Sequence, residues 1–150
     1  MNFQHEIDVE APPPAVTAFL VDLHNHRALH PLIETITDLP RPEARPTVRA
    51  YEIVDRVPMG PLRVRVTYRA EVEQVAADRI VAEAFQRPRV HLRTEYTVLA
   101  TDSGSRSIEH VTVTAPFGLT RFVTAQAEKA HAATMARLPA QLQRSNDRPI

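Results

Sequence analysis

Hydrophobic and polar positions alternate along most of this chain. Phe3, His5, Ile7 and Val9 alternate with Gln4, Glu6, Asp8 and Glu10, and a period of two predicts a half-buried strand with a charged outer face. Ala11 and three prolines end it, and proline is tolerated in the first turn of a helix. Val16, Phe19, Leu20 and Leu23 then hold the i, i+3, i+4, i+7 spacing of an amphipathic helix. That helix ends near His24 and Asn25, and a second short helical turn is predicted over 26–30, before Pro31. Residues 32–39 form a weaker strand pattern. The Pro-rich segment 40–46 is a loop, too short to link two domains.

Strands follow in succession. The first covers 47–57 and is turned back by Pro58, Met59, Gly60 and Pro61. The next has Leu62, Val64, Val66, Tyr68, Ala70 and Val72 on one parity and Arg63, Arg65, Thr67, Arg69, Glu71 and Glu73 on the other. Further strands are predicted over 79–86, 90–100 and 106–114, separated by Arg87-Pro88 and by the turn residues 101–105. The last third changes character: residues 116–143 are rich in Ala, Leu, Arg, Glu and Gln, with Pro139 as the one late breaker. These residue types lose least on entering a helix. Leu119, Val123, Ala127, Ala130, Thr134 and Leu138 fall on one stripe of that helix, with Arg121, Glu128 and Ala132 opposite. The stripe is apolar but mostly small, so something large, or empty space, must face it. A run of strands with helices segregated to its ends defines an α+β fold. The clean alternation indicates an antiparallel sheet with one wetted face.

Composition narrows the function classes. The chain has 150 residues and zero formal net charge, so one domain over 1–144 with a frayed tail over 145–150 is expected, and no global field draws it to nucleic acid or an anionic membrane. Cysteine is absent, which excludes disulfides and thiolate chemistry. No secretory segment and no membrane-length apolar run is visible, so a soluble, cytoplasmic protein without stable membrane insertion is expected. Lys129 is the only lysine, the remaining positive charge being arginine. The chain has no Trp and no Gly-rich phosphate loop, and no nucleotide or other cofactor is implied.

The segment 16–23 with His30, Pro31, Leu32 and Ile33, and the run Thr112, Val113, Thr114, Ala115 and Pro116 leading into the Ala- and His-bearing helix, resemble the START-like (SRPBCC) superfamily. Within it, the polyketide cyclase/dehydrase and lipid-transport family is the nearest likeness, over nearly the whole chain. The resemblance implies a helix-grip fold, a curved antiparallel sheet wrapped around the long C-terminal helix, with two short helices after the first strand and a cavity between sheet and helix. The fold hosts carriers, cyclases, receptors and chaperone cofactors alike, so function must come from the site.

Candidate site residues are polar groups on inward parities. Tyr68 and Tyr96 each bring an apolar body and a hydroxyl that seeks a partner when buried, and Val66 and Ala127 belong to the same expected lining. Glu109 shares parity with Val111 and Val113, which turns it inward; the opposite parity would turn His110 inward instead. An inward carboxylate would serve as a general base next to a carbonyl. His131 lies about 40° from the Ala127 direction on the helix wheel, where it either faces the cavity as a base or bonds a neighbouring carbonyl. The parity of Glu52 is unsettled, since Val48, Ala50 and Val54 side with it and Tyr51 and Ile53 do not. His24, His26 and His30 read as a polar rim at the cavity mouth, with His30 the best placed, rather than as a metal site, because no third ligand follows at local spacing. The leading expectation is a binder, or transporter, of a lipid, isoprenoid, quinone or polyketide-like molecule. The alternative is a polyketide cyclase, aromatase or dehydratase using Glu109 and His131, and a third reading is a protein-interaction module. Phe122 lies off the main stripe and packs on either a loop or a second subunit, which leaves a homodimer open.

Overall fold

The computed structural model describes residues 1–147. Seven antiparallel strands form one sheet in the order β1-β7-β6-β5-β4-β3-β2. They are β1 (Asn2–Val9), β2 (Ile33–Leu39), β3 (Arg49–Met59), β4 (Leu62–Ala76), β5 (Arg79–Gln86), β6 (Val90–Thr101) and β7 (Gly104–Thr114). Strands β2 to β7 are joined by successive hairpins, while β1 closes the far edge by pairing with β7. The segment between β1 and β2 therefore crosses the sheet. It does so as the helix α1 (Pro13–Val21) and a 3-10 helix (Leu23–Ala28). The long helix α2 (Thr120–Asn146) packs against β1 and β7, completing the helix-grip arrangement.

Local chemistry explains these elements. Pro13 and Pro14 occupy the first turn of α1, where their missing N–H groups have no partner to lose. Val16, Phe19, Leu20 and Leu23 are all buried and seat this crossover against β4 to β7. Asp22 then accepts the His24 N–H at 3.0 Å and tightens the following turns into 3-10 geometry. That pulls the second helical segment forward to Leu23–Ala28, where the sequence predicted 26–30. The helix α2 begins at Thr120, four residues later than the pattern suggested, because Pro116 to Leu119 form a turn closed by Leu119 N–H to Pro116 C=O. It continues through Pro139 to Asn146, so residues 145 and 146 are helical where a frayed tail was expected. Residues 148–150 of that expected tail lie outside the described residues.

Two apolar clusters hold the layers together. One joins α1, the sheet and the far half of α2 through Leu20, Leu23, Tyr96, Val98, Met135 and Leu138. The other joins Phe3, Val90, Leu92, Val111 and Val113, with Val123 and Ala127 of α2 against them. On the opposite face of the sheet several arginines are paired: Arg65 grips Glu34 through Nε and Nη2 at 3.1 and 2.9 Å, and Arg93 bridges Glu83 and Glu95. The β3–β4 hairpin outruns its neighbours. Ladder pairing of β2 with β3 stops at Asp55, and that of β5 with β4 begins only at Arg69, so residues 56–68 form a two-stranded ribbon. Pro58 sits in this ribbon, past the end of β2, where its missing N–H is tolerated. No helix among the described residues is long and apolar enough to cross a membrane.

Candidate ligand cavity and its acid-base groups

A cavity of about 390 Å³ lies between the concave face of the sheet and α2, within the range of small-molecule sites. Its walls are mainly aliphatic, with Leu23, Ile53, Val66, Leu92, Val123 and Ala127 among them. The ends of β3, β5 and β7 and the start of α2 lie at the same end of the antiparallel strands, and the mouth opens there. Met59, Leu119 and Phe122 line it while remaining 50%, 41% and 49% exposed. Small residues make the room: Ala127 and Ala130 on α2 face Ala70, Ala82 and Ala84 on the sheet.

Polar groups gather on the walls away from the mouth. On β7, Ser105, Ser107, Glu109, Val111 and Val113 all point inward and are nearly or fully buried, which settles the parity in favour of Glu109 and turns His110 outward. Glu109 is fully buried, and its Oε1 lies 2.6 Å from His131 Nδ1 on α2. The carboxylate accepts the Nδ1–H, which leaves Nε2 as the ring's free acceptor. Among the described residues Nε2 has no hydrogen-bond partner, and the ring lines the cavity. The ring is fixed from two sides by edge-on contacts with Phe3 (5.7 Å) and His30 (5.8 Å). Tyr96 is the cross-strand partner of Glu109. Burial, then the Glu109 charge, hold its phenol well above the ordinary value, so it keeps its proton.

Two further histidines line the cavity, His26 buried and His30 half-buried. The His26 ring bonds the Leu20 carbonyl through Nε2 at 3.0 Å and packs edge-on against Tyr96. Burial pushes its pKa down. His30 lines the cavity, and burial together with the charges of His131, His26 and Arg137 lowers it to about 3. Both rings are therefore neutral at physiological pH. Only His24 of the three is at the surface, paired with Asp38 at 2.8 Å. Among the described residues no three His or carboxylate side chains are grouped to hold a metal ion.

On the sheet wall Tyr68 donates its hydroxyl to Asp55 Oδ2 at 3.2 Å. Asp55 is 5% exposed, and its Oδ1 is buried with no partner. Burial raises this carboxyl to about 6, against the opposing pull of Tyr68 and His131, and raises Tyr68 well above its ordinary value.

The structure thus brings Tyr68, Tyr96, His30, His131, Val66 and Ala127 to the cavity and sets Glu109 directly behind His131. Glu52 does not belong there: it is exposed on the outer face, because Tyr51, Ile53 and Asp55 take the inward parity of β3. Sequence reading missed Asp55 and put His26 at a rim. A lone aspartate continuing the parity of Tyr51 and Ile53 was the signal for the first, masked by Val48 and Ala50, which are buried on the other parity.

Residues 1–144 match the family described as polyketide cyclase / dehydrase and lipid transport, and the chain belongs to that family. Among solved structures it is similar to TTHA0849 from Thermus thermophilus, with 17% identity, a TM-score of 0.76, and 98% of this chain and 100% of that one covered. It is likewise similar to the Zhui aromatase/cyclase from Streptomyces sp. R1128, with 16% identity, a TM-score of 0.74 and coverage of 96% and 94%. The di-domain aromatase/cyclase StfQ of steffimycin biosynthesis matches at 13% identity and a TM-score of 0.74, covering 97% of this chain and 52% of that one. At these identities the likeness is one of fold. No match is found among curated proteins.

Proposed function

We propose that the protein binds a hydrophobic, carbonyl-bearing small molecule in this cavity and moves a proton on it, as a polyketide cyclase or dehydratase would. The observation that carries this reading is the 2.6 Å bond between buried Glu109 and His131 on the cavity wall. A pure carrier needs apolar walls and a few hydroxyls; it has no need of a carboxylate buried to orient an imidazole.

In this reading His131 Nε2 takes a proton from carbon next to a ligand carbonyl, while Glu109, on Nδ1, fixes the tautomer and steadies the imidazolium that forms. Tyr96, protonated and close by, is suited to donate to the oxygen on which charge develops. On a chain with several carbonyls, the resulting carbanion closes a carbon–carbon bond onto a second carbonyl carbon. The imidazolium then returns its proton to the new alkoxide, and the ring nitrogen is free again. Loss of water from that product would use the same base.

The test is exchange of deuterium from solvent into the carbon next to the carbonyl of 1-tetralone, followed by NMR. Wild-type protein should accelerate exchange, and His131→Ala should remove the acceleration. Equal rates for the two would overturn the acid-base reading, and binding of 1-tetralone without exchange would support the carrier reading that the aliphatic walls also suit.

A further inference from the structure

The Asp55–Tyr68 pair has no part in the proton transfer just described, although it faces the same cavity. Its geometry is unusual for a purely structural pair. Tyr68 satisfies one carboxyl oxygen, while the other, Oδ1, is buried without a partner on a residue that lines the cavity. A buried carboxyl oxygen left unpaired keeps its full desolvation penalty, and no cross-strand neighbour relieves it. Asp55 pairs with Val66 and Tyr68 with Ile53, so the surroundings on the ladder are aliphatic. Asp55 itself lines the cavity, so a group seated there is the remaining source of a donor.

Resting on the cavity's role as a ligand site, we infer that Asp55, held by Tyr68, forms a second polar subsite on the sheet wall that takes a hydroxyl group of the ligand. The class of ligand follows. It is an apolar molecule with two oxygen functions, one presented to His131 on the helix side and the other, a phenol, enol or alcohol, presented to Asp55 on the sheet side. Tyr68 acts here as a positioning residue, since its donation to Oδ2 holds the carboxyl on the cavity wall and leaves Oδ1 as the oxygen without a donor. The raised pKa of Asp55, caused first by its burial, agrees with a carboxyl that lacks a full set of donors.

Isothermal titration of the whole protein with 2-naphthol and with 2,6- and 2,7-dihydroxynaphthalene tests this. The better of the two diols should bind wild type at least tenfold more tightly than 2-naphthol. Asp55→Ala should remove that preference, so that the diols bind no more tightly than 2-naphthol, and Tyr68→Phe should weaken it. The carboxyl carbon-13 shift of Asp55 in the unmutated protein gives a second reading, and should move when the diol binds. If 2-naphthol binds and neither diol binds better, the subsite is filled by water alone and the inference falls while the cavity reading stands. A preference that survives in Asp55→Ala also overturns it. If none of the three probes binds wild type, the cavity reading falls and takes the subsite with it.

Discussion

Replacing His30 by Asn isolates how the cavity wall treats charge. The Asn side-chain oxygen can still accept the Leu32 N–H that His30 Nδ1 accepts at 3.4 Å, but the titration is gone. In the folded protein His30 is held at about 3, against an ordinary 6.5 in the unfolded chain, first by burial and then by neighbouring positive charge. Above pH 6.5 the ring is neutral in both states and contributes nothing. Below it the unfolded chain takes up a proton that the folded chain refuses, so stability is lost at about 1.4 kcal/mol per pH unit. The loss reaches about 3 kcal/mol two units lower and about 5 kcal/mol near pH 3, where the folded ring itself titrates. His26 adds a slope of the same sign, and Asp55, raised to about 6, adds the opposite slope between about pH 4 and 6. Both are present in wild type and variant, so the difference between the two proteins removes most of their effect. Urea unfolding from about pH 7.5 down to about pH 4.5 measures that difference. It should be flat above pH 6.5 and move in favour of His30→Asn by about 3 kcal/mol at the acid end. Parallel curves would refute the reasoning, because they would mean that the cavity hydrates a charged His30 as well as solvent does.

Other perturbations test the cavity and its frame. Ala127→Phe fills space beside Val123 and Leu92 and should abolish 2-naphthol binding by calorimetry, with a stability change under about 1 kcal/mol; a loss of several kcal/mol would mark the site as packed core. Gly104→Ala should destabilise the fold by about 2–5 kcal/mol in thermal or urea unfolding. Gly104 has φ +151°, and an added Cβ would meet the Val9 carbonyl and come within 2.8 Å of the Ala11 nitrogen, so near-normal stability would disprove the close approach.

Much of the fold was legible because each strand repeats its message. In β4, β6 and β7 the apolar parity recurs often enough to suggest which face is buried, and Val111 and Val113 pointed to an inward Glu109 while leaving His110 as the alternative. The small residues of α2 likewise announced space. Glu109 and His131 could be named together from sequence, but their direct contact was not legible, since nothing local ties residues 22 apart. Their meeting depends on how α2 lies across β1 and β7. In β3 the pattern failed for a definite reason: Val48 and Ala50 are buried on one face at the start of the strand, whereas Tyr51, Ile53 and Asp55 are buried on the other. A strand covered on both sides has no single apolar parity to read, so Glu52 was drawn inward and Asp55 was overlooked.

The overhanging β3–β4 ribbon bears on how a guest gets in and out. Residues 56–68 have no flanking ladder on either side, and two paired strands alone are only marginally stable in water. Met59, Leu62 and Val64 on this ribbon are exposed, so few buried contacts hold it down. Its amides should therefore exchange with solvent at a lower free energy than those of β6 and β7, and its tip can part from the start of α2 while Glu109, His131 and Tyr96 keep their geometry. Residence time of a guest would then be governed by fraying of one hairpin, on a clock separate from the global unfolding of the sheet.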